Sequence, residues 1–78
     1  MSHYQLDARR LMCPLPVIRT QNRIAELHSG DTLEVCATDA GALHDIPTWC
    51  RIHGHEVLAC TRQNGEVSVT VRVVIEAS

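Results

Sequence analysis

The stretch Tyr4-Gln5-Leu6-Asp7-Ala8-Arg9-Arg10-Leu11-Met12-Cys13-Pro14-Leu15-Pro16 changes its pattern once, and that change decides the fold. Tyr4 to Ala8 reads as a short strand. From Leu15 the apolar residues recur at helical spacing. Val17, Thr20, Ile24 and Leu27 share one side of a segment running from Pro14 to His28, with Arg19, Gln21, Asn22, Arg23 and Glu26 largely elsewhere around the circle. The junction falls on Cys13-Pro14-Leu15-Pro16. A proline at the first helical position loses no hydrogen bond, and its φ is already set for the helix. A cysteine just before it faces unpaired N–H groups and the positive end of the helix dipole, which favour an anion by about 0.3–1 kcal/mol. This placement predicts a lowered thiol pKa and a nucleophilic Cys13, with Pro14 and Pro16 as a stiff support.

Beyond this junction, Ser29-Gly30-Asp31 ends the first helix, with Gly30 as a left-handed cap. Thr32 to Thr38 then alternates, placing Leu33, Val35 and Ala37 on one face and Thr32, Glu34, Cys36 and Thr38 on the other. After Asp39-Ala40-Gly41, a second helical segment carries Leu43, Ile46, Pro47 and Cys50 on one side until Gly54 stops it. Pro47 would bend a helix that began at Ala42 but would sit comfortably in the first turn of one that began near Ile46. The expectation is a short irregular turn followed by the main helix. His55 to Gln63 reads as a third strand, Asn64-Gly65 as a two-residue hairpin turn, and Glu66 to Glu76 as a fourth strand with Val67, Val69, Val71, Val73 and Ile75 on one face. The order β-α-β-α-β-β predicts an α/β (α+β) two-layer sandwich: a four-stranded mixed sheet with two helices on one face. Residues 1–78 form a single domain in this reading. Cys13 and the Asp39-Ala40-Gly41 loop then share the sheet edge where reactive groups of open α/β sheets gather.

At 78 residues the chain can bury only about 60–65% of its unfolded surface, so its stability should be modest. Phe is absent, and there is one Trp and one Tyr, so Val, Ile, Leu and Ala must build the core. The basic residues are all arginines, seven against nine acids for a net charge of −2, which leaves no electrostatic footprint for direct nucleic-acid binding. No apolar run reaches the ~18–20 residues of a membrane span, and Met1-Ser2-His3 lacks the features of a secretory signal. A cytoplasmic protein without membrane association is expected, with its four cysteines as thiols. One wet sheet face gives no reason for a dimer, so a monomer is expected.

The chemistry then turns on Cys13. No CxxC supplies a local resolving thiol, which weakens a thioredoxin-like role. Cys50, His53, His55 and Cys60 are ligand types, but their spacing departs from the paired pattern of structural zinc sites. Neither a metal nor a cofactor is expected; Cys50 and Cys60 should pack, and one histidine should bond a loop. A Cys–His hydrolytic dyad has no sequence signal that places a histidine beside Cys13. A lone nucleophilic thiol can carry a covalent cargo, and sulfur is one that thiol exchange chemistry can load. A non-catalytic regulatory or interaction module and a thiol redox protein remain the alternatives.

Leu6-Asp7-Ala8, Leu11, Cys13-Pro14-Leu15-Pro16, Gly30-Asp31-Thr32-Leu33, Thr38-Asp39, Asp45-Ile46-Pro47, Trp49-Cys50 and Gly54-His55-Glu56-Val57 together resemble the TusA/SirA-like sulfur-carrier family across almost the whole chain. The resemblance implies a β-α-β-α-β-β fold similar to the C-terminal domain of a bacterial translation initiation factor. It also implies a sulfurtransferase activity in which Cys13 holds a cysteine persulfide. The donor would be a cysteine desulfurase or a rhodanese-type protein, and the acceptor a downstream sulfur carrier serving tRNA thiolation, molybdenum-cofactor metabolism or sulfur oxidation. Two positions depart from the family pattern: Arg10 stands where Gly is common, and Ala40 where Pro is common. Arg10 either adds positive charge near Cys13 or points to solvent. Arg10, Asp39 and Asp45 are the candidate docking residues, Asp39 being equally suited to cap a helix, and Arg9, Arg19, Arg23 and Arg51 could add basic contacts.

Overall fold

The computed structural model describes residues 1–75. Its elements are β1 (His3–Ala8), α1 (Leu15–Ile24), β2 (Thr32–Ala37), α2 (Ala42–Ile52), β3 (Glu56–Gln63) and β4 (Glu66–Arg72). The strands form one sheet in the order β1-β2-β4-β3. β1 runs parallel to β2, and β4 runs antiparallel to both of its neighbours, so the sheet is mixed as the sequence predicts. β2 and β3 are therefore parallel, and the connection through α2 passes over the place that β4 fills. No helix among the described residues is long and apolar enough to cross a membrane.

Alternation builds the core. Tyr4, Leu6 and Ala8 of β1 lie beside Leu33, Val35 and Ala37 of β2, which lie beside Val71, Val69 and Val67 of β4. The three β2 residues and the three β4 valines are buried, and Pro16, Thr20 and Ile24 of α1 and Ala42, Ile46, Pro47 and Cys50 of α2 are the buried residues of the helices that cover them. Thr20 is accommodated because its hydroxyl donates to the Pro16 carbonyl at 2.8 Å. The opposite sheet face is polar: Gln5 donates to Glu34 at 2.9 Å, and so does the Ser68 hydroxyl at 2.9 Å. At the hairpin, Asn64 and Gly65 both take positive φ, 53° and 80°, matching the right-handed twist of the flanking strands.

Five expectations are corrected. α1 stops at Ile24 rather than His28; the next residues tighten, with Glu26 and Leu27 bonding three residues back to Arg23 and Ile24. Gly30, at φ 95°, is not that helix's cap. It lies against the end of the sheet, where its N–H donates to Val73 at 2.8 Å. α2 starts at Ala42 and keeps Pro47 in its interior. The start is set upstream of the proline, because Asp39 accepts from Gly41 through its side chain and from Ala42 through its carbonyl, and that turn leads directly into the helix. β4 ends at Arg72, opposite Thr32, the first residue of β2. Val73 is still buried, Ile75 is 54% exposed beyond the end of its partner, and Glu76 lies outside the described residues. Cys60 is exposed rather than packed: it pairs with the buried Val69 of β4 but lies on β3, the edge strand of the sheet.

Candidate thiol site

β1 and β2 end side by side, and the loops that follow them meet. In the first loop Asp7 turns back to accept from the Arg9 backbone and from its guanidinium at 2.9 and 3.0 Å, which holds the Asp7 carboxyl down at about 2. Arg10 then takes φ 69°, and its N–H donates to the Thr38 hydroxyl at 2.8 Å, tying this loop to the end of β2. Met12, Cys13, Pro14 and Leu15 form a turn closed by the Leu15 N–H on the Met12 carbonyl at 2.8 Å, with a cis peptide between Cys13 and Pro14. Pro14 is thus the residue before α1, and Pro16 is the second residue within it.

The helix terminus does not serve the sulfur. Pro14 and Pro16 have no N–H, the Leu15 N–H is used by Met12, and the Ile18 N–H is used by Pro14. The Cys13 thiol instead donates to Asp45 Oδ2 of α2 at 3.4 Å. The predicted lowering of its pKa is therefore reversed. The hydrogen bond to the Asp45 carboxylate pushes the thiol up, aided by partial desolvation and by the charges of Asp45 and Asp39.

Asp39 fastens the two loops. Its Oδ2 accepts from the Cys13 backbone N–H at 2.8 Å, and its Oδ1 accepts from the Gly41 N–H at 3.1 Å. The residues that lead into α1 and α2 are thus held by one carboxylate. Asp39 and Asp45, singled out as docking candidates, both stand beside Cys13. Arg10 is exposed and makes no ion pair among the described residues.

Sequence reasoning missed the apolar surround. Met12, Leu15 and Ile18 are 75%, 43% and 42% exposed, and they flank the exposed Cys13. The signal was present, since Leu15 and Ile18 are three residues apart and lie off the Thr20–Ile24 side of α1. An open groove of about 240 Å³ lined by Arg10, Leu11, Met12, Thr38 and Asp39 adjoins them. The other cysteines lie elsewhere. Cys50 is fully buried in α2, where burial pushes its thiol up to about 11; Cys36 is half-buried on the polar sheet face, and Cys60 is exposed on β3. Among the described residues no three of His, Cys, Asp and Glu converge as metal ligands. Trp49 packs against His53 in a tilted pair and stacks with His55 instead, and His55 Nδ1 accepts from the Val74 N–H at 3.1 Å.

The class is thus a two-layer α/β domain, a four-stranded mixed sheet covered by two helices, with the exposed Cys13 where β1 and β2 end. The chain belongs to the TusA family: the family profile, described as Sulfurtransferase TusA, matches residues 4–73. It is 48% identical over 56 residues to YrkI of Bacillus subtilis, an alignment covering 72% of this chain and 75% of that one. It is 39% identical over 67 residues to the sulfur carrier protein TusA of Pseudomonas entomophila, covering 86% and 84%. In YrkF of Bacillus subtilis, 42% identical over 62 residues, the matching region is 33% of a longer protein. The crystal structure of a SirA-like protein from Desulfitobacterium hafniense superposes with a TM-score of 0.80 at 25% identity, covering 92% of this chain and 99% of the other.

Proposed function

We propose that this protein is a sulfur carrier that accepts a persulfide sulfur on Cys13 and passes it to another protein. The observation that carries the reading is the exposed Cys13, held at the turn between β1 and α1 with the exposed Met12, Leu15 and Ile18 close to it in the chain, in a chain of the TusA family. Exposed apolar side chains around a nucleophile suit a protein surface better than a small molecule, because they are desolvated only when a partner covers them. The main-chain bond from Cys13 to Asp39 holds the backbone that carries the sulfur, so less order has to be imposed when a partner docks.

In the loading step the Cys13 thiolate attacks the terminal sulfur of a donor persulfide. A Cys13 Sγ–S bond forms, the donor S–S bond breaks, and the donor sulfur leaves with the electron pair and takes a proton. Unloading repeats the step with an acceptor thiolate. Sulfur changes hands without net oxidation, and the chemistry needs no cofactor. The donor is a cysteine desulfurase or a rhodanese-type protein and the acceptor a further carrier in the cytoplasm, feeding tRNA thiolation, molybdenum-cofactor metabolism or sulfur oxidation. Residues 1–78 act as one carrier domain, and the carrier acts as a monomer.

The test mixes the protein with a cysteine desulfurase and cysteine and determines its intact mass. The reading predicts a gain of one sulfur atom that is lost on thiol reduction and absent in Cys13→Ser. No gain from several donors would sink it.

A further inference from the structure

We propose that Asp45 is the residue that keeps the Cys13 thiol protonated in the unloaded protein, so that the free carrier is a slow nucleophile. The proposal rests on the carrier reading above and concerns the control of that same sulfur. The contact at 3.4 Å from Sγ to Asp45 Oδ2 exists as a hydrogen bond only while the sulfur bears its proton. A thiolate there would face the carboxylate with nothing between them.

The two side chains that bond Cys13 are both carboxylates. From the β2–α2 loop comes Asp39, whose two oxygens are fixed on the Cys13 and Gly41 N–H groups. From α2 comes Asp45, an acidic side chain in the first turn, whose Oδ2 accepts from Sγ. The two acids converge on Gly41: a Cβ there would lie 3.6 Å from Asp39 Oδ1 and 3.7 Å from Asp45 Oδ2. His44, next to Asp45, is exposed to solvent. α1 brings no acidic side chain to its first turn and no free donor from Pro14, Leu15 or Pro16. From the β1–α1 loop, Arg9 is held by Asp7, and Arg10 is exposed and makes no ion pair among the described residues. The upward direction of the Cys13 pKa agrees with this arrangement.

In the transfer step the proton must leave Sγ before the new S–S bond forms, and this departure is what Asp45 opposes. An empty carrier is thereby shielded from indiscriminate exchange with other disulfides and persulfides.

The experiment alkylates the full chain with iodoacetamide across a pH series and follows the Cys13 peptide by mass spectrometry in the wild type, Asp45→Asn and Asp45→Ala, with circular dichroism to verify folding. In the folded variants the midpoint of the Cys13 profile should fall, and at about pH 7.5 the rate should rise about threefold or more, at up to tenfold per unit of midpoint. The exposed Cys60 in the same molecule should keep its profile. An unchanged Cys13 profile in a folded variant overturns the proposal. The wild type gives a reading that needs no variant: Cys13 must react more slowly at that pH than an unstructured cysteine peptide, and a faster reaction overturns it too. Failure of the wild type to load sulfur, with these profiles as expected, would count against the carrier reading and leave the role of Asp45 standing.

Discussion

Arg10 stands at φ 69°, a left-handed conformation that glycine adopts freely and a side chain with a Cβ adopts at a cost of the order of 1–2 kcal/mol. Its side chain makes no ion pair among the described residues that would offset this, and its backbone bond to Thr38 is open to any residue. Arg10→Gly is therefore expected to stabilise the fold by up to about 1 kcal/mol, the entropy that glycine loses on folding offsetting part of the relieved strain. A denaturant titration checks it, and a lower midpoint in Arg10→Gly would contradict the account. The resemblance marks Arg10 as a departure, and the backbone dihedral supplies a physical reason why glycine would suit this position. Cys13 is similar. Its place between a strand and a helix was readable from spacing, and its protonation was not, because the group that decides it, Asp45, lies 32 residues away in the chain. The prolines that marked the thiol as special also removed the donors that helix physics assigned to it.

At the scale of elements, α2 holds more of the local chemistry than its sequence suggested. It ends in a cap that Gly54 makes possible at φ 82°, with the Gly54 N–H on Arg51 at 3.2 Å and the His55 N–H on Cys50 at 2.8 Å. The chain then enters β3 with the His55 ring packed near Trp49 and its Nδ1 accepting from the Val74 N–H at 3.1 Å. A backbone N–H can only donate, so this contact requires the Nδ1 of His55 to be unprotonated. Burial, with a smaller contribution from His53, lowers the His55 pKa below its ordinary 6.5. The folded state thus binds fewer protons than the unfolded chain as pH falls through that range. The stabilisation is complete above about 6.5 and is lost as pH drops toward the lowered folded value. Thermal midpoints measured at about pH 7.5 and about pH 5.5 should fall more for the wild type than for His55→Gln. Equal falls would contradict this reading. That one histidine bonds a loop was expected from the sequence, and the choice of His55 depended on how α2 ends. Gly54 as the stop was legible because glycine is the common residue just past a helix. The first residue of α2 was not, because Asp39 sets it through a turn that precedes Pro47.

Across the whole molecule, one apolar layer is shared by three strands and two helices. The alternation of Leu33, Val35 and Ala37, and of Val67, Val69 and Val71, made that layer legible because a period of two assigns each residue to a face wherever the sheet is covered on one side. Periodicity does not say which strand lies at the sheet edge or where a strand outruns its partner, which is why Cys60 and Ile75 proved exposed. Leu33 is fully buried in the second strand of the sheet, between β1 and β4. Leu33→Ala should cost about 2–5 kcal/mol, a large part of the ~5–15 kcal/mol that holds a small domain together, and should appear as a marked loss of denaturant midpoint. A change below about 1 kcal/mol would mean that this layer is not the core. The same scaffold leaves two thiols exposed, Cys13 at the joined ends of β1 and β2 and Cys60 on the outer strand β3. The account gives them different fates, and locating the sulfur distinguishes these most directly. The protein is incubated with a cysteine desulfurase and cysteine, its persulfides are trapped by alkylation, and the peptides are sequenced by mass spectrometry. The added sulfur is predicted on the Cys13 peptide alone; sulfur on Cys60 or Cys36 with Cys13 unmodified would contradict the account.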